Sequence, residues 1–203
     1  MAQCCSNLRL FIFLAIFGFS VDIVSKYVAF RSMYNGTSSN FYDLIPGVFQ
    51  FHVEFLPDKK RGECWFSAFN GPIPPRVNHG ALYGIGNDQT RLANRFFAGV
   101  SFIAAVAVGW WGTRPSTRND RILTFALGLI LGGTSGNLYD RIVFGGVRDF
   151  LHWYLFDFPV FNIADSCLVV GAITLLFHAF FFGSVQNQNK ESVPVNSNPP
   201  PTV

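Results

Sequence analysis

Residues 132–166 read GGTSGNLYDRIVFGGVRDFLHWYLFDFPVFNIADS and carry four aspartates, Asp140, Asp149, Asp157 and Asp165. The stretch begins at the end of one apolar run and finishes inside the next, where an ionised carboxylate is costly. Asp149, in GGVRDFL, follows a Gly-Gly turn, and Asp165, in FNIADS, stands at the beginning of the last apolar run, where a helix dipole favours an anion. Either one alone reads equally well as an N-cap or an interfacial anchor. As a pair they have a chemistry. Two carboxylates at one low-dielectric site do not both ionise easily, so one keeps a proton. Such a pair can take a proton from water with one member and give one to a leaving group with the other. Asp157, before Pro159, reads as a turn acid.

Other polar residues stand where apolar ones are expected. Asp22 and Lys26 are spaced i, i+4 near the end of the first apolar run and can pair on a helix, either neutralising each other or reaching a reacting group. Asn137, Asp140 and Arg141 follow the Gly-rich end of the third run; they read as a helix cap with a salt bridge, or as a set in which arginine holds carboxylates in place. Asn162 lies three residues before Asp165. The four histidines are scattered, Ser135 and Ser166 have no histidine base at hand, and Cys4, Cys5, Cys64 and Cys167 form no metal-ligand spacing.

The elements that must position these groups are membrane spans. Half of the 203 residues are hydrophobic, 24 are Phe, and only 13% are charged, against about 25% in soluble domains. The net charge of +3 is too small and scattered for a nucleic-acid partner. Four runs near 8–29, 93–112, 122–138 and 163–183 approach the length of a bilayer crossing. The first has no small-residue cleavage site after it and reads as a retained helix. Arg114, Arg118 and Arg121 in the short second connection place it on the cytoplasmic side, which puts both termini inside as well. The alternation at 48–55 predicts a strand with Phe49, Phe51, Val53 and Phe55 on one face, and 147–151 reads as a second, short strand. The expected architecture is a mainly α membrane protein: four transmembrane helices with a small β-sheet, a cradle, and a loop at the outer face. Residues 1–183 form one domain, and the polar, Pro-rich stretch 184–203 reads as a disordered cytoplasmic tail.

Five short motifs in this order resemble those of the bacterial lipoprotein signal peptidases, also called signal peptidase II. DIVSK at 22–26 resembles D-x-x-S-K, and NHGALYG at 78–84 is similar to N-x-G-A-x-x-G. GGTSGNLYDR at 132–141 resembles G-G-x-x-G-N-x-x-D-R, VRDF at 147–150 resembles V-x-D-F, and FNIADS at 161–166 resembles F-N-x-A-D-S. The resemblance implies an intramembrane aspartic endopeptidase that removes signal peptides from diacylglyceryl-modified prolipoproteins, cutting just before the lipidated cysteine. It implies Asp149 and Asp165 as the catalytic pair; Asn78, Asn137, Arg141 and Asn162 as the lining of the polar site; and Asp140, Asp22 and Lys26 as supporting residues. It further implies no metal or organic cofactor, and a monomer in the bacterial inner membrane with its site near the outer leaflet, among membrane lipids. Residues 57–76, with Lys59, Lys60, Arg61, Cys64 and Trp65, read as a loop insertion, and His79 and Tyr83 depart from the commoner motif. Two other classes compete. A small proton- or cation-coupled transporter would place its acids near mid-span, often in repeated halves, whereas here they cluster at one end without a repeat. An assembly factor would use the polar residues as helix glue and would not need both Asp149 and Asp165.

Overall fold

A computed structural model describes residues 2–56, 73–80 and 87–191. In chain order the elements are α1 (Ala2–Ser32), β1 (Ser39–Ile45), β2 (Phe49–Glu54), α2 (Asn87–Gly112), α3 (Pro115–Arg118), α4 (Arg121–Val143), β3 (Leu151–His152), a 3-10 turn at Tyr154–Phe156 and α5 (Ile163–Glu191). Four helices hold spans of 26, 22, 23 and 19 residues, long and apolar enough to cross a membrane. The third span runs to Val143, past the expected end near residue 138, and so carries Asp140 and Arg141 on its final turn. Asp140 and Asn137 are buried there by neighbouring helices, so polarity does not end the helix. At the other limit, α5 continues to Glu191, so 184–191 are helical where a disordered tail was expected, and residues 192–203 lie outside the described residues.

The α4 helix is the centre of the bundle. Half of its span is buried, against 6% for α2 and 11% for α5. Its glycines allow this. A Cβ on Gly133 would stand 2.5 Å from the Ala164 carbonyl oxygen of α5, and one on Gly136 would collide with the Asp22 carboxylate of α1. Small residues let helix backbones approach where lipid tails supply no hydrophobic drive for association. Gly136→Ala is therefore expected to lower stability by about 1–3 kcal/mol through overpacking. Equilibrium unfolding in mixed detergent micelles measures this, and an unchanged unfolding midpoint would mean that α1 and α4 do not touch there.

The sheet lies at one end of the bundle. It is antiparallel with strand order β1-β2-β3. The expected alternation in β2 holds: Val53 and Phe55 are buried with Phe30, Phe150 and Leu151, and Phe49 and Phe51 pack against this cluster. The strand expected at 147–151 is instead a single bridge, Asn78 to Val147, followed by the two-residue β3. The reason is the buried Arg148, whose backbone N–H donates to a side chain, Asp140 Oδ2, rather than to a ladder. Most of the expected insertion, 57–72, lies outside the described residues. Its final residues return alongside β2, where the Leu56 N–H donates to the Pro74 carbonyl and the Arg76 N–H to that of Glu54. At the opposite end of the bundle, Asp120 caps α4 by accepting from the Ile122 and Leu123 N–H groups and also meets His178 of α5.

Candidate active site

The first turn of α5 is organised before any other element is considered. Asn162 Oδ1 accepts the Asp165 N–H at 3.0 Å, and Asp165 Oδ2 accepts the Asn162 N–H at 3.3 Å. This reciprocal pair is a capping box written in Asn and Asp. The next orphan donor, the Ala164 N–H, is satisfied from another helix: it donates to Asp22 Oδ1 of α1 at 2.9 Å. Asp165 thus fills the N-terminal role open to it in the sequence, and its Oδ1 still accepts a further bond, from Asn137 Nδ2 at 2.8 Å.

Asp149 comes to the same place from the other side. Its Oδ1 accepts Asn162 Nδ2 at 2.7 Å and its Oδ2 accepts Asn78 Nδ2 at 3.1 Å. Asn162 therefore contacts both carboxylates, Asp149 by its side-chain amide and Asp165 by its backbone. Burial, followed by the negative charge of Asp165, pushes the Asp149 carboxyl up from its ordinary 3.8 to about 6. Both effects disfavour the anion, as expected for two acids sharing one dry site.

Behind this pair lies a chain of alternating charges with no solvent exposure. Lys26 Nζ is 2.8 Å from Asp22 Oδ2 and 3.4 Å from Asp140 Oδ2, and Arg148 Nη2 is 2.7 Å from Asp140 Oδ1. The Arg148 guanidinium is further held over the rings of Phe144 and Tyr27, at 3.9 and 4.3 Å. This chain reaches the candidate site through Asn137. Its Oδ1 accepts from Lys26 Nζ at 3.3 Å and from Asn162 Nδ2 at 3.2 Å. With the oxygen so occupied, the amide can only present its N–H group to Asp165. Lys26 thus fixes which way Asn137 faces.

The nine residues singled out in the sequence accordingly fall into two groups. Asp149, Asp165, Asn78, Asn137 and Asn162 form the acidic pair and its donors. Asp22, Lys26 and Asp140 form the ionic chain behind it. Arg141 stands between them: its Nη1 donates to the Asn137 carbonyl at 3.2 Å, its Nε has no hydrogen-bond partner, and it makes no ion pair with a carboxylate among the described residues. Asp140 takes Arg148 as its partner instead. Adjacent residues on a helix do not face each other, so the D-R dipeptide could not pair internally. Asn94 went unnoticed in the sequence; it donates to the Arg141 carbonyl at 3.1 Å and ties α2 to α4. A lone Asn in an apolar run was the available signal. Asp157 has φ 48° in the turn before Pro159 and stands apart from the site, as its neighbours suggested. In the second motif, Asn78 to Gly80 are placed, and residues 81–84 lie outside the described residues.

The polar acidic site lies at the sheet end of the four spans. A solved bacterial membrane enzyme, determined at 2.3 Å resolution, matches with TM-score 0.62 and 26% identity over 91% of this chain and 93% of its own. Another such structure, at 1.9 Å resolution, matches with the same score over 85% of this chain. The sequence profile of the family described as signal peptidase (SPase) II matches residues 14–181, and the chain belongs to that family of peptidases. A lipoprotein signal peptidase of Rhodopirellula baltica is 37% identical over 185 residues, which cover 84% of this chain and 71% of that protein. One from Geobacillus thermodenitrificans is 40% identical over 58% of this chain and 72% of its own length. The match to the Alteromonas mediterranea protein, at 35% identity, spans 62% of that relative, a little under two thirds. Family membership decides between the peptidase and transporter readings in favour of the peptidase.

Proposed function

We propose that this chain removes signal peptides from lipid-modified lipoprotein precursors, using Asp149 and Asp165 as an aspartic dyad. The observation that carries the reading is Asn162, which hydrogen-bonds both carboxylates and holds them at one site. The sheet end of the bundle faces the outer side of the bacterial inner membrane. The basic connection bearing Arg114, Arg118 and Arg121 faces the cytoplasm with both termini. The scissile bond of a diacylglyceryl-modified precursor, just before the lipidated cysteine, then lies level with the dyad. The enzyme acts as a monomer among membrane lipids.

In this mechanism Asp149 holds the proton and polarises the scissile carbonyl. Asp165 takes a proton from the attacking water. The tetrahedral intermediate collapses as Asp165 passes that proton to the leaving amine, which leaves Asp165 a carboxylate and Asp149 protonated as at the start. Asn78 and Asn137 hold the carboxyl groups in place, so that no reorganisation is needed as charge moves.

The raised Asp149 carboxyl gives this reading a pH signature. As pH rises through about 6, Asp149 loses its proton, and kcat/KM is expected to fall about tenfold per unit above that point. Stability follows the same sign. The folded state binds this proton more tightly than the unfolded chain, so the contribution is complete below pH 3.8 and is lost as pH rises through about 6. Asp149→Asn is expected to remove that slope. A rate that climbs steadily from pH 5 to pH 8 would assign the proton elsewhere.

The direct test is a gel-shift cleavage assay with the purified protein in detergent, offering a diacylglyceryl-modified precursor beside its unlipidated form. Cleavage of the lipidated form alone is expected. Cleavage of neither by folded protein would remove the proposed substrate.

A further inference from the structure

The α2 helix has the least buried of the four spans and carries an apolar groove of about 310 Å³ on its outside. Phe102, Ile103, Val106, Ala107 and Trp110 line it. The last four recur at i, i+3, i+4 and i+7 and so form one stripe. At 1.5 Å per residue the groove covers about 12 Å of helix axis. The span runs from Arg91 to Gly112, so the groove occupies the half nearer the basic connection. At that end it meets cations. The Arg114 guanidinium lies 3.8 Å over the Trp110 ring. One turn further on, Arg118 Nε donates to the Thr113 carbonyl at 2.7 Å, which anchors that side chain at the same bend. Neither arginine makes an ion pair among the described residues. The acid nearest in sequence, Asp120, is engaged by the Ile122 and Leu123 N–H groups and by His178.

We infer that this face of α2 seats one anionic phospholipid, its phosphodiester on Arg114 and Arg118 and one acyl chain along the groove from Trp110 to Phe102. The surface lies at the opposite end of the bundle from the acidic pair, so the inference does not depend on what the enzyme cuts. With the sidedness proposed above, the lipid belongs to the cytoplasmic leaflet, whose anionic headgroups favour basic sites at helix ends. Charge complementarity selects the occupant. A guanidinium presents a fork of N–H donors that matches phosphate oxygens, and stacking on Trp110 orders that fork before anything binds. A free phosphate would use the arginines and leave the groove bare. A neutral lipid would fill the groove and leave the cations unmatched. An anionic amphiphile satisfies both at once. The bound lipid would also brace the connection between α2 and α4, which is tied to the bundle by Asn7 Nδ2 donating to the Arg118 carbonyl and Thr124 Oγ1 donating to that of Thr117.

Two experiments on the full chain test this. In the first, the protein in a neutral maltoside detergent is titrated with dioleoyl phosphatidylglycerol, dioleoyl phosphatidylcholine or glycerol 3-phosphate, and bound molecules are counted by native mass spectrometry. One phosphatidylglycerol is expected to bind about tenfold more tightly than phosphatidylcholine, and glycerol 3-phosphate is expected not to displace it. Arg114→Gln should weaken phosphatidylglycerol about fivefold, the share of one interfacial arginine. Arg31→Gln, which removes one exposed cation at the sheet end, should change nothing. Val106→Trp fills the groove at an exposed position, where added bulk does not burden the fold, and should weaken phosphatidylglycerol by a similar factor. In the second, a phosphatidylglycerol with a diazirine midway along one chain is irradiated with the protein in proteoliposomes, and should label residues 102–110 more heavily than the matching phosphatidylcholine does. Equal affinities for the two lipids, or equal losses in Arg114→Gln and Arg31→Gln, would refute the cationic seat. Unchanged affinity in Val106→Trp would refute the groove. Displacement by glycerol 3-phosphate would reduce the site to one for free anions, and α2 crosslinked to a second copy would make the face a protein interface instead.

Discussion

Replacing Asp149 or Asp165 with asparagine is expected to lower cleavage by at least about 1,000-fold, since each change removes one half of a general acid–base pair. The two losses should not multiply, because a dyad works as a unit and the double variant has little left to lose. The fold should survive both changes. Asp149 accepts from the side-chain amides of Asn78 and Asn162 on separate oxygens, and asparagine keeps its shape and one of these two bonds. At Asp165 the capping box keeps its acceptor oxygen, and the change gives up only the bond from Asn137 Nδ2, which then meets an amide N–H group. The measurement is single-turnover cleavage of the lipidated precursor, with a detergent-micelle melting curve for each variant. A folded Asp165→Asn enzyme with more than a tenth of wild-type rate would reduce Asp165 to a helix cap.

The second large effect is expected at Lys26, which never touches the carboxyl pair. Lys26→Met leaves Asp22 in a space with no solvent without the cation it had at 2.8 Å, and leaves Asp140, which loses Lys26 at 3.4 Å, with Arg148 alone. Removing one partner from a buried ionic set costs about 3–5 kcal/mol, because the charge left behind is uncompensated. Activity should fall as well. Without Lys26, Asn137 keeps a single bond to its oxygen, from Asn162, and its amide is freer to turn away from Asp165. Lys26→Met with Asp22→Asn in the same chain removes a cation and an anion together and is expected to recover part of the stability. The experiment is a double-mutant cycle on unfolding free energy. Additive losses would mean that the two side chains do not interact.

The spans and the acidic pair were legible in the sequence because both announce themselves locally: the spans by apolar length, and Asp149 and Asp165 by short motifs at the edges of apolar runs. What stayed hidden was non-local. The β1 strand, SNFYDLI, has no alternation to read, because after Asn40 its side chains are exposed on both faces. The partner of Asp140 was ambiguous because Arg141 is adjacent in sequence and Arg148 is adjacent in space. The role of Lys26 was open between a private ion pair and contact with the site. Only its bond to Asn137, across 111 residues of chain, shows that it belongs to both. The ends of α4 and α5 were misjudged for a related reason. Hydropathy marks where a helix leaves the apolar layer, whereas buried polar partners and helical hydrogen bonds decide where it stops.

The buried chain of four charges also bears on how such a protein is made. Each negative group has its counter-ion nearby in sequence: Asp22 and Lys26 are four residues apart, and Asp140 and Arg148 eight. As segments leave the ribosome and enter the bilayer one after another, each brings its own neutralising partner with it. Within this chain of four, neither acid then has to wait in hydrocarbon for a counter-ion from a helix not yet translated. Only the final cross-links, Lys26 to Asp140 and Asp22 to the first turn of α5, depend on the complete chain.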